Sequence, residues 1–253
     1  MKDITAFDLF FTSNIPEHLR FAAFSVSHAL WVLASALFVF MVARDTREKD
    51  IAQKEKRLLF FAWSIPAIHA VSITGHLLLE IFVEPQYSFL NFLPTNLCTL
   101  NVIIMPLAIV KNNKTVLNFL YALSLPGAAM AILTPTTYYY GRFFYLSWSV
   151  VLYFIDHAIM VLVPVLAIMC GRFRPDYRYL PRVMAYFLPY VAVIYVANKI
   201  ANHNWLFINV PEEGTILVLF EAYLGNPGYI AAMAVLLAIV IFCMYLPWYK
   251  HME

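Results

Sequence analysis

Seven apolar stretches, each about twenty residues long or more, dominate the chain. A helix needs about 20 mostly apolar residues to cross the hydrocarbon core of a bilayer. Only 13% of the 253 residues are charged, whereas soluble domains carry about 25%. The sequence therefore predicts an all-α membrane protein with a single seven-helix transmembrane domain over residues 1–253. Its spans are expected at about 20–43, 58–83, 89–110, 115–135, 143–170, 181–201 and 224–248.

Lysine and arginine residues are concentrated in alternate connections between these spans. Thirteen of the seventeen lie in the first, third and fifth connections and at the C-terminus. The other four are Lys2, Arg20, Arg142 and Lys199. Because cytoplasmic loops carry the excess of positive charge, we expect an external N-terminus, a cytoplasmic C-terminus and multi-pass insertion in the cell membrane. The charges form no basic stripe, so nucleic-acid binding is not expected.

A cysteine and a histidine lie inside two of the predicted spans. Polar groups inside a membrane are costly and indicate function by default. Cys98 lies about nine residues into the third span, roughly 14 Å at 1.5 Å per residue, and His157 lies roughly 20 Å into the fifth. A thiol beside an imidazole is a potential activated nucleophile. The alternative for Cys98 is a small buried hydrophobic residue, and the sequence does not show that the two side chains meet.

Further polar residues fall in the same predicted half of the membrane. His76 and Glu80 are four positions apart and share a helical face. With His28 they form a candidate polar cluster, although a structural role in hydrogen bonding between helices is the alternative. Asp156 adjoins His157, so its side chain points about 100° away and is a poor candidate to orient the imidazole.

The longest connection, about residues 202–223, is unusually apolar. It contains the runs 205–211 and 215–220, which are largely apolar. We expect this connection to fold back onto the helix bundle or lie at the membrane interface. A partly buried cover and a lid that lines a cavity are both consistent with its composition.

Several short motifs follow one another in a fixed order between about residues 90 and 248. They are Leu93-Pro94-x-x-Leu97-Cys98, Leu120-Tyr121, Pro126-Gly127-Ala128-Ala129-x-Ala131-x-Leu133-Thr134-Pro135, Phe154-x-x-His157, Asn204-Trp205-Leu206-Phe207 with Pro211, and Gly225-Asn226-Pro227-Gly228-Tyr229. In this order they resemble the YwaF-like multi-pass membrane proteins, a family that includes transmembrane protein 164.

The resemblance implies seven spans and lipid acyl transfer at a cysteine with a histidine partner. Those roles would fall on Cys98 and His157. Bacterial members often carry a histidine where this chain has Asn96, so the chain departs from the family pattern two residues before the cysteine.

Three functions remain open at the level of sequence. In the first, His157 activates Cys98 for acyl transfer on a membrane lipid, with an oxyanion donor among Asn96, Asn198 and Asn204. The second is a carrier or binding component for a small solute. The third is a metal-dependent hydrolase, for which His28, His76, Glu80 and His157 supply suitable ligand types without a recognisable spacing such as HExxH. We expect no bound metal or cofactor, and the oligomeric state is undetermined.

Overall fold

The described part of the chain folds into a bundle of helices, six of them more than fourteen residues long. The computed structural model describes residues 5–12, 15–82, 93–134 and 141–249. These residues form helices, turns and irregular segments, with one isolated β-bridge between Arg20 and Phe144. The helices are α1 Ala6–Phe11, α2 Val26–Arg47, α3 Ile51–Phe82, α4 Leu97–Lys111, α5 Lys114–Phe119, α6 Leu125–Leu133, α7 Trp148–Met169, α8 Leu180–Ala201, α9 Ile216–Leu224 and α10 Gly228–Tyr249.

Six helical segments in the described part of the chain are long and apolar enough to cross a membrane. They are Val26–Arg47, Ile51–Leu78, Lys114–Leu133, Trp148–Met169, Tyr177–Ala201 and Gly228–Tyr249. The third predicted span differs, because α4 begins only at Leu97 and has 15 residues. At 1.5 Å per residue it is about 22 Å long, which is short of the roughly 30 Å hydrocarbon core. Part of that predicted span, residues 89–92, lies outside the described residues.

Helix α7 is the centre of the bundle. It packs against α2, α3, α4 and α6, and thirteen of its residues are buried, from Ser149 to Ala167. The main core cluster also takes in α3, α4 and the α5–α6 segment, with Leu58, Met105 and Leu162 fully buried. An apolar residue on almost every face of α7 is what a helix surrounded by other helices requires.

One end of the bundle collects the short basic connections 48–50, 112–113 and 170–179, and we call it the basic end. The Arg172 guanidinium donates to both Glu55 oxygens, from Nε at 2.7 and 3.0 Å. The Lys114 ammonium donates to the Arg172 carbonyl, so three connections are tied together. The opposite end, where α4, α7 and α10 begin, is called the site end.

The segment from α5 to α6 contains one wide helical turn. Residues Leu120–Ser124 form a π-helical turn, in which Leu125 N donates to the Leu120 carbonyl five residues back. Pro126 follows, and it has no N–H to continue a regular ladder. Beyond the turn, Gly127 faces α4, where an added Cβ would lie 3.1 Å from Leu97 Cδ2. The glycine therefore sets how closely α6 approaches the start of α4.

Candidate thiol–imidazole site

Cys98 is the second residue of α4, so its thiol lies at a helix N-terminus. Thr99 and Asn96 fix this terminus through two bonds, from Asn96 N to Thr99 Oγ1 at 3.2 Å and from Thr99 Oγ1 to the Asn96 carbonyl at 3.0 Å. The first N–H groups of a helix have no partner within it, and they carry a partial positive charge that stabilises anions.

The late start of α4 places this N-terminus inside the bundle. Thirteen positions separate Cys98 from Lys111 at the basic end, or about 20 Å along the helix axis. Twelve positions separate His157 from Met169, the corresponding end of α7, or about 18 Å. The two side chains therefore lie at about the same level along the bundle, roughly 20 Å from its basic end.

His157 meets Cys98 directly. The distance from His157 Nε2 to Cys98 Sγ is 3.2 Å, and His157 Nδ1 lies 2.7 Å from the Tyr153 carbonyl one turn back. A carbonyl only accepts, so Nδ1 carries the proton and Nε2 presents its lone pair to the thiol. This is the tautomer that a general base needs. His157 is buried, whereas Cys98 keeps part of its surface accessible.

Two further groups lie near the thiol, Asp156, which the sequence places beside His157, and Tyr190, which the sequence patterns did not indicate. The Asp156 side chain interacts electrostatically with Cys98, and its Oδ1 is buried without a hydrogen-bond partner among the described residues. A carboxylate here would repel a thiolate. Tyr190 of α8 also interacts electrostatically with Cys98, and its hydroxyl donates to the Pro94 carbonyl at 3.2 Å. Tyr190 is 92 positions from Cys98 in the sequence, and only the packing of α8 against the start of α4 brings the two together.

Residues 203–210, which we call the cover loop, close over the start of α4. Leu206 N donates to Asn96 Oδ1 at 2.9 Å, and the buried Trp205 packs with Ile194 and Ile208. Leu206 and Phe207 have φ values of 58° and 56°. Bulky residues rarely adopt this left-handed conformation, and it persists only where the surroundings enforce it. The predicted return of the 202–223 connection onto the bundle is confirmed for these residues.

The three asparagines proposed as oxyanion donors are engaged with the cover loop. Asn198 is fully buried and pairs with Trp205, accepting from its N–H at 2.8 Å and donating to its carbonyl at 2.9 Å. Asn204 accepts from Asn209 N and Val210 N and donates to the Val210 carbonyl. Asn96 accepts from Leu206. These contacts hold the loop in place, and the N–H groups of the first turn of α4 are further donors beside Cys98.

Of the predicted polar cluster, the structure describes the side chains of His28 and His76. His28 Nδ1 accepts from Phe24 N and His28 Nε2 donates to the Ile132 carbonyl, both at 2.9 Å, so the ring joins α2 to α6. His76 is buried on α3 beside Gly75, which contacts the Trp148 indole. The side chain of Glu80 is not among those that the structure describes. Within the described residues no three His, Cys, Asp or Glu side chains are grouped to hold a metal ion.

A second buried polar pair lies one turn below Cys98. The Ser124 hydroxyl donates to Asn101 Oδ1 at 2.7 Å, and both residues are fully buried. Asn101 follows Cys98 by three positions and so shares its face of α4. The π-helical turn brings Ser124 to this position, and no periodicity in the sequence indicates it.

These features define an all-helical, multi-pass membrane protein with a thiol–imidazole pair inside the bundle. The chain belongs to the TMEM164 family, whose model matches residues 17–245. The match contains the thiol–imidazole pair and the cover loop, and it confirms the family resemblance. No curated protein and no solved structure matches the chain.

Proposed function

We propose that this protein is a cell-membrane acyltransferase that moves a fatty acyl group between lipids through Cys98. The observation that carries the proposal is the 3.2 Å contact between Cys98 Sγ and His157 Nε2, with Nδ1 held by the Tyr153 carbonyl. A positioned base converts a weak thiol into a nucleophile. In this proposal Cys98 is the nucleophile and His157 the general base.

The first half-reaction forms a thioester. His157 Nε2 takes the thiol proton while Sγ attacks the ester carbonyl carbon of the donor lipid. A C–S bond forms, the carbonyl π electrons move to oxygen, and they return as the ester C–O bond breaks. The proton on His157 passes to the departing alkoxide, so the donor leaves as a lysolipid alcohol.

The second half-reaction transfers the acyl group. The hydroxyl of an acceptor lysolipid gives its proton to His157 and attacks the thioester carbon. A C–O bond forms, the C–S bond breaks, and the sulfur recovers its proton from the imidazolium. Water in place of the lysolipid gives hydrolysis, so the closure of the site by the cover loop favours transfer.

Backbone N–H groups at the start of α4 supply the oxyanion stabilisation in this scheme. Their partial positive charge lies at the reacting sulfur, where negative charge develops on both the thiolate and the tetrahedral intermediate. A lipid substrate fits the position of the pair, about 20 Å from the basic end along α4 and thus inside the hydrocarbon layer. The acyl chain remains in an apolar phase throughout. We place this end of the bundle on the external side, following the distribution of basic residues.

The test is acyl-enzyme formation in reconstituted vesicles. The purified protein is mixed with phospholipid that carries an isotope-labelled acyl chain and with a lysophospholipid acceptor. Intact-protein mass spectrometry then measures the adduct, and lipid mass spectrometry measures the product. We expect a hydroxylamine-sensitive adduct on Cys98 and a labelled diacyl product.

The variant Cys98→Ala removes the nucleophile, and Cys243→Ala is the matched control because Cys243 is free and exposed. Cys98→Ala should lose adduct and product together, while Cys243→Ala should keep both. Undiminished product formation in Cys98→Ala would overturn the proposal. Retention of a soluble solute by that same variant would instead favour the carrier function.

A further inference from the structure

A cavity of about 650 Å³ opens at the basic end, which lies about 18 Å along α7 from His157. We call it the basic pocket. It lies where the C-terminal part of α2 faces the start of α3 and the end of α7. Its lining residues are Phe40, Ala43, Arg44, Arg47, Lys54 and Met169.

The pocket is built mainly on one face of α2. Phe40, Ala43, Arg44 and Arg47 follow the spacing i, i+3, i+4 and i+7, which places them along a single stripe. Lys54 faces this stripe from the first turn of α3. The pocket therefore has a cationic inner part and an apolar edge at Phe40, whose surface is 61% exposed.

Unlike several neighbouring cations, the cations of the pocket form no ion pair within the described residues. Arg57 and Lys49 both pair with Asp45, and Arg172 pairs with Glu55. Among the described residues, Arg44, Arg47 and Lys54 have neither an ion pair nor a side-chain hydrogen bond. Of the nearby carboxylates, Asp45 and Glu55 pair with other cations, and Glu48 and Asp50 form no ion pair within the described residues. Three positive charges around one cavity repel each other, and a bound anion would relieve that repulsion.

We infer that the basic pocket binds the phosphate group of an anionic phospholipid or of a soluble phosphate ester. Guanidinium groups match phosphate oxygens in a bidentate geometry, and an ammonium adds a point charge. Basic pockets between helices on the cytoplasmic side of a membrane bind phospholipid headgroups, and the basic residues predict that side for this end of the bundle. The exposed Phe40 gives acyl chains an apolar path away from the headgroup. This binding is independent of the thiol chemistry.

The experiment measures binding to the purified full-length protein in detergent. Native mass spectrometry and thermal unfolding are followed with dioctanoyl phosphatidylglycerol, with dioctanoylglycerol, which has no phosphate, and with glycerol 3-phosphate, which has no chains. We expect saturable binding of the first compound and none of the second. Competition by glycerol 3-phosphate at similar concentration identifies a soluble ester as the ligand, and lack of competition identifies the lipid. Equal binding of dioctanoylglycerol would overturn the inference.

Substitutions locate the binding. Arg44→Gln, Arg47→Gln and Lys54→Gln should each weaken binding about fivefold, and the triple variant about a hundredfold, because each charge near an anionic headgroup contributes about 1 kcal/mol. Lys56→Gln is the matched control, since it removes the same charge two residues from Lys54 outside the pocket. Equal weakening by Lys56→Gln would show general attraction and overturn the pocket assignment. Full retention of binding in the triple variant would also overturn the pocket assignment.

Discussion

The two ends of this bundle are held together by different forces. At the basic end, Glu55, Arg172 and Lys114 join three connections through charged contacts. At the site end, the cover loop is held by neutral amide bonds from Asn96 and Asn198 and contains two strained residues, Leu206 and Phe207. One end ties adjacent helices by charge, and the other covers a reactive thiol by hydrogen bonds to backbone.

We expect contacts at the basic end to affect mainly the stability of the bundle and contacts at the site end to affect the chemistry of Cys98. Charged links at the basic end can change without altering the geometry around Cys98, because about 20 Å of helix lies between them. Bonds at the site end determine both the shape of the cover loop and the access to the thiol. Segments of low local stability are where loops that admit ligands are found. We therefore expect substitutions at the two ends to have separable effects.

The largest effect is expected from His157→Gln. Glutamine fills most of the space but cannot take a proton, so acyl-adduct formation on Cys98 should fall about 10²- to 10⁴-fold. Thermal unfolding measured on the same samples should shift little, since no charged group is removed from the packing. Adduct formation within tenfold of the unmodified protein would show that another group activates the thiol.

Asn198→Ala should loosen the site end. The change leaves the Trp205 N–H and carbonyl without their buried partners, at about 2–3 kcal/mol of local free energy. The rate of Cys98 alkylation by uncharged iodoacetamide should rise at least about tenfold if loop opening limits access. Asn198→Asp keeps the acceptor for Trp205 N and should show a smaller rise. An unchanged rate in Asn198→Ala would mean that the cover loop does not govern access.

Glu55→Gln addresses the opposite end. It weakens a bidentate, partly exposed pair with Arg172, so the free energy of unfolding should fall by about 1 kcal/mol. Cys98 alkylation should keep its original rate, which is the outcome that separates the two ends. A changed alkylation rate would show that the ends are coupled. Lys56→Gln removes a charge at the same end without breaking this pair and serves as the control.

The smallest effect concerns pH. His203 stacks on Trp205 with ring centroids 4.5 Å apart and accepts from Asn204 N. Burial lowers the pKa of His203 below its usual range, so the unfolded loop binds more protons than the folded one. Stability is therefore present above the unfolded pKa and falls as pH drops toward the folded value. Hydrogen exchange of the loop should rise slightly at acidic pH, and this rise should be absent in His203→Gln.

Hydropathy and charge in the sequence were sufficient for the helical class and for most helix positions. Six of the seven predicted spans have counterparts among the segments long enough to cross a membrane. The third does not, because hydropathy over 89–110 carries no information about where the backbone begins to be helical. The turn at residues 93–96 determines where α4 begins. This turn contacts residues more than a hundred positions away, such as Leu206.

The candidate site could also be predicted from the sequence only in part. Cys98 and His157 stood out because polar groups in apolar spans are few. Asp156 was judged by its direction from the imidazole, yet in the folded chain it lies near enough to Cys98 for an electrostatic interaction. Asn198 and Asn204 carry the same chemical groups as an oxyanion donor, and only the fold shows that their bonds are already made to the cover loop. Residue type predicts what a group is able to do, and packing decides where it is used.

The π-helical turn at residues 120–124 acts as a rotational offset within one helix. It inserts an extra residue, so everything beyond it is turned by about 100° relative to a regular helix. Removing one residue from this turn would carry Gly127 away from Leu97 and bring a larger side chain against the first residue of α4. The placement of the thiol thus depends on a count of residues in a neighbouring helix, and single-residue deletions there would act on Cys98 without touching it.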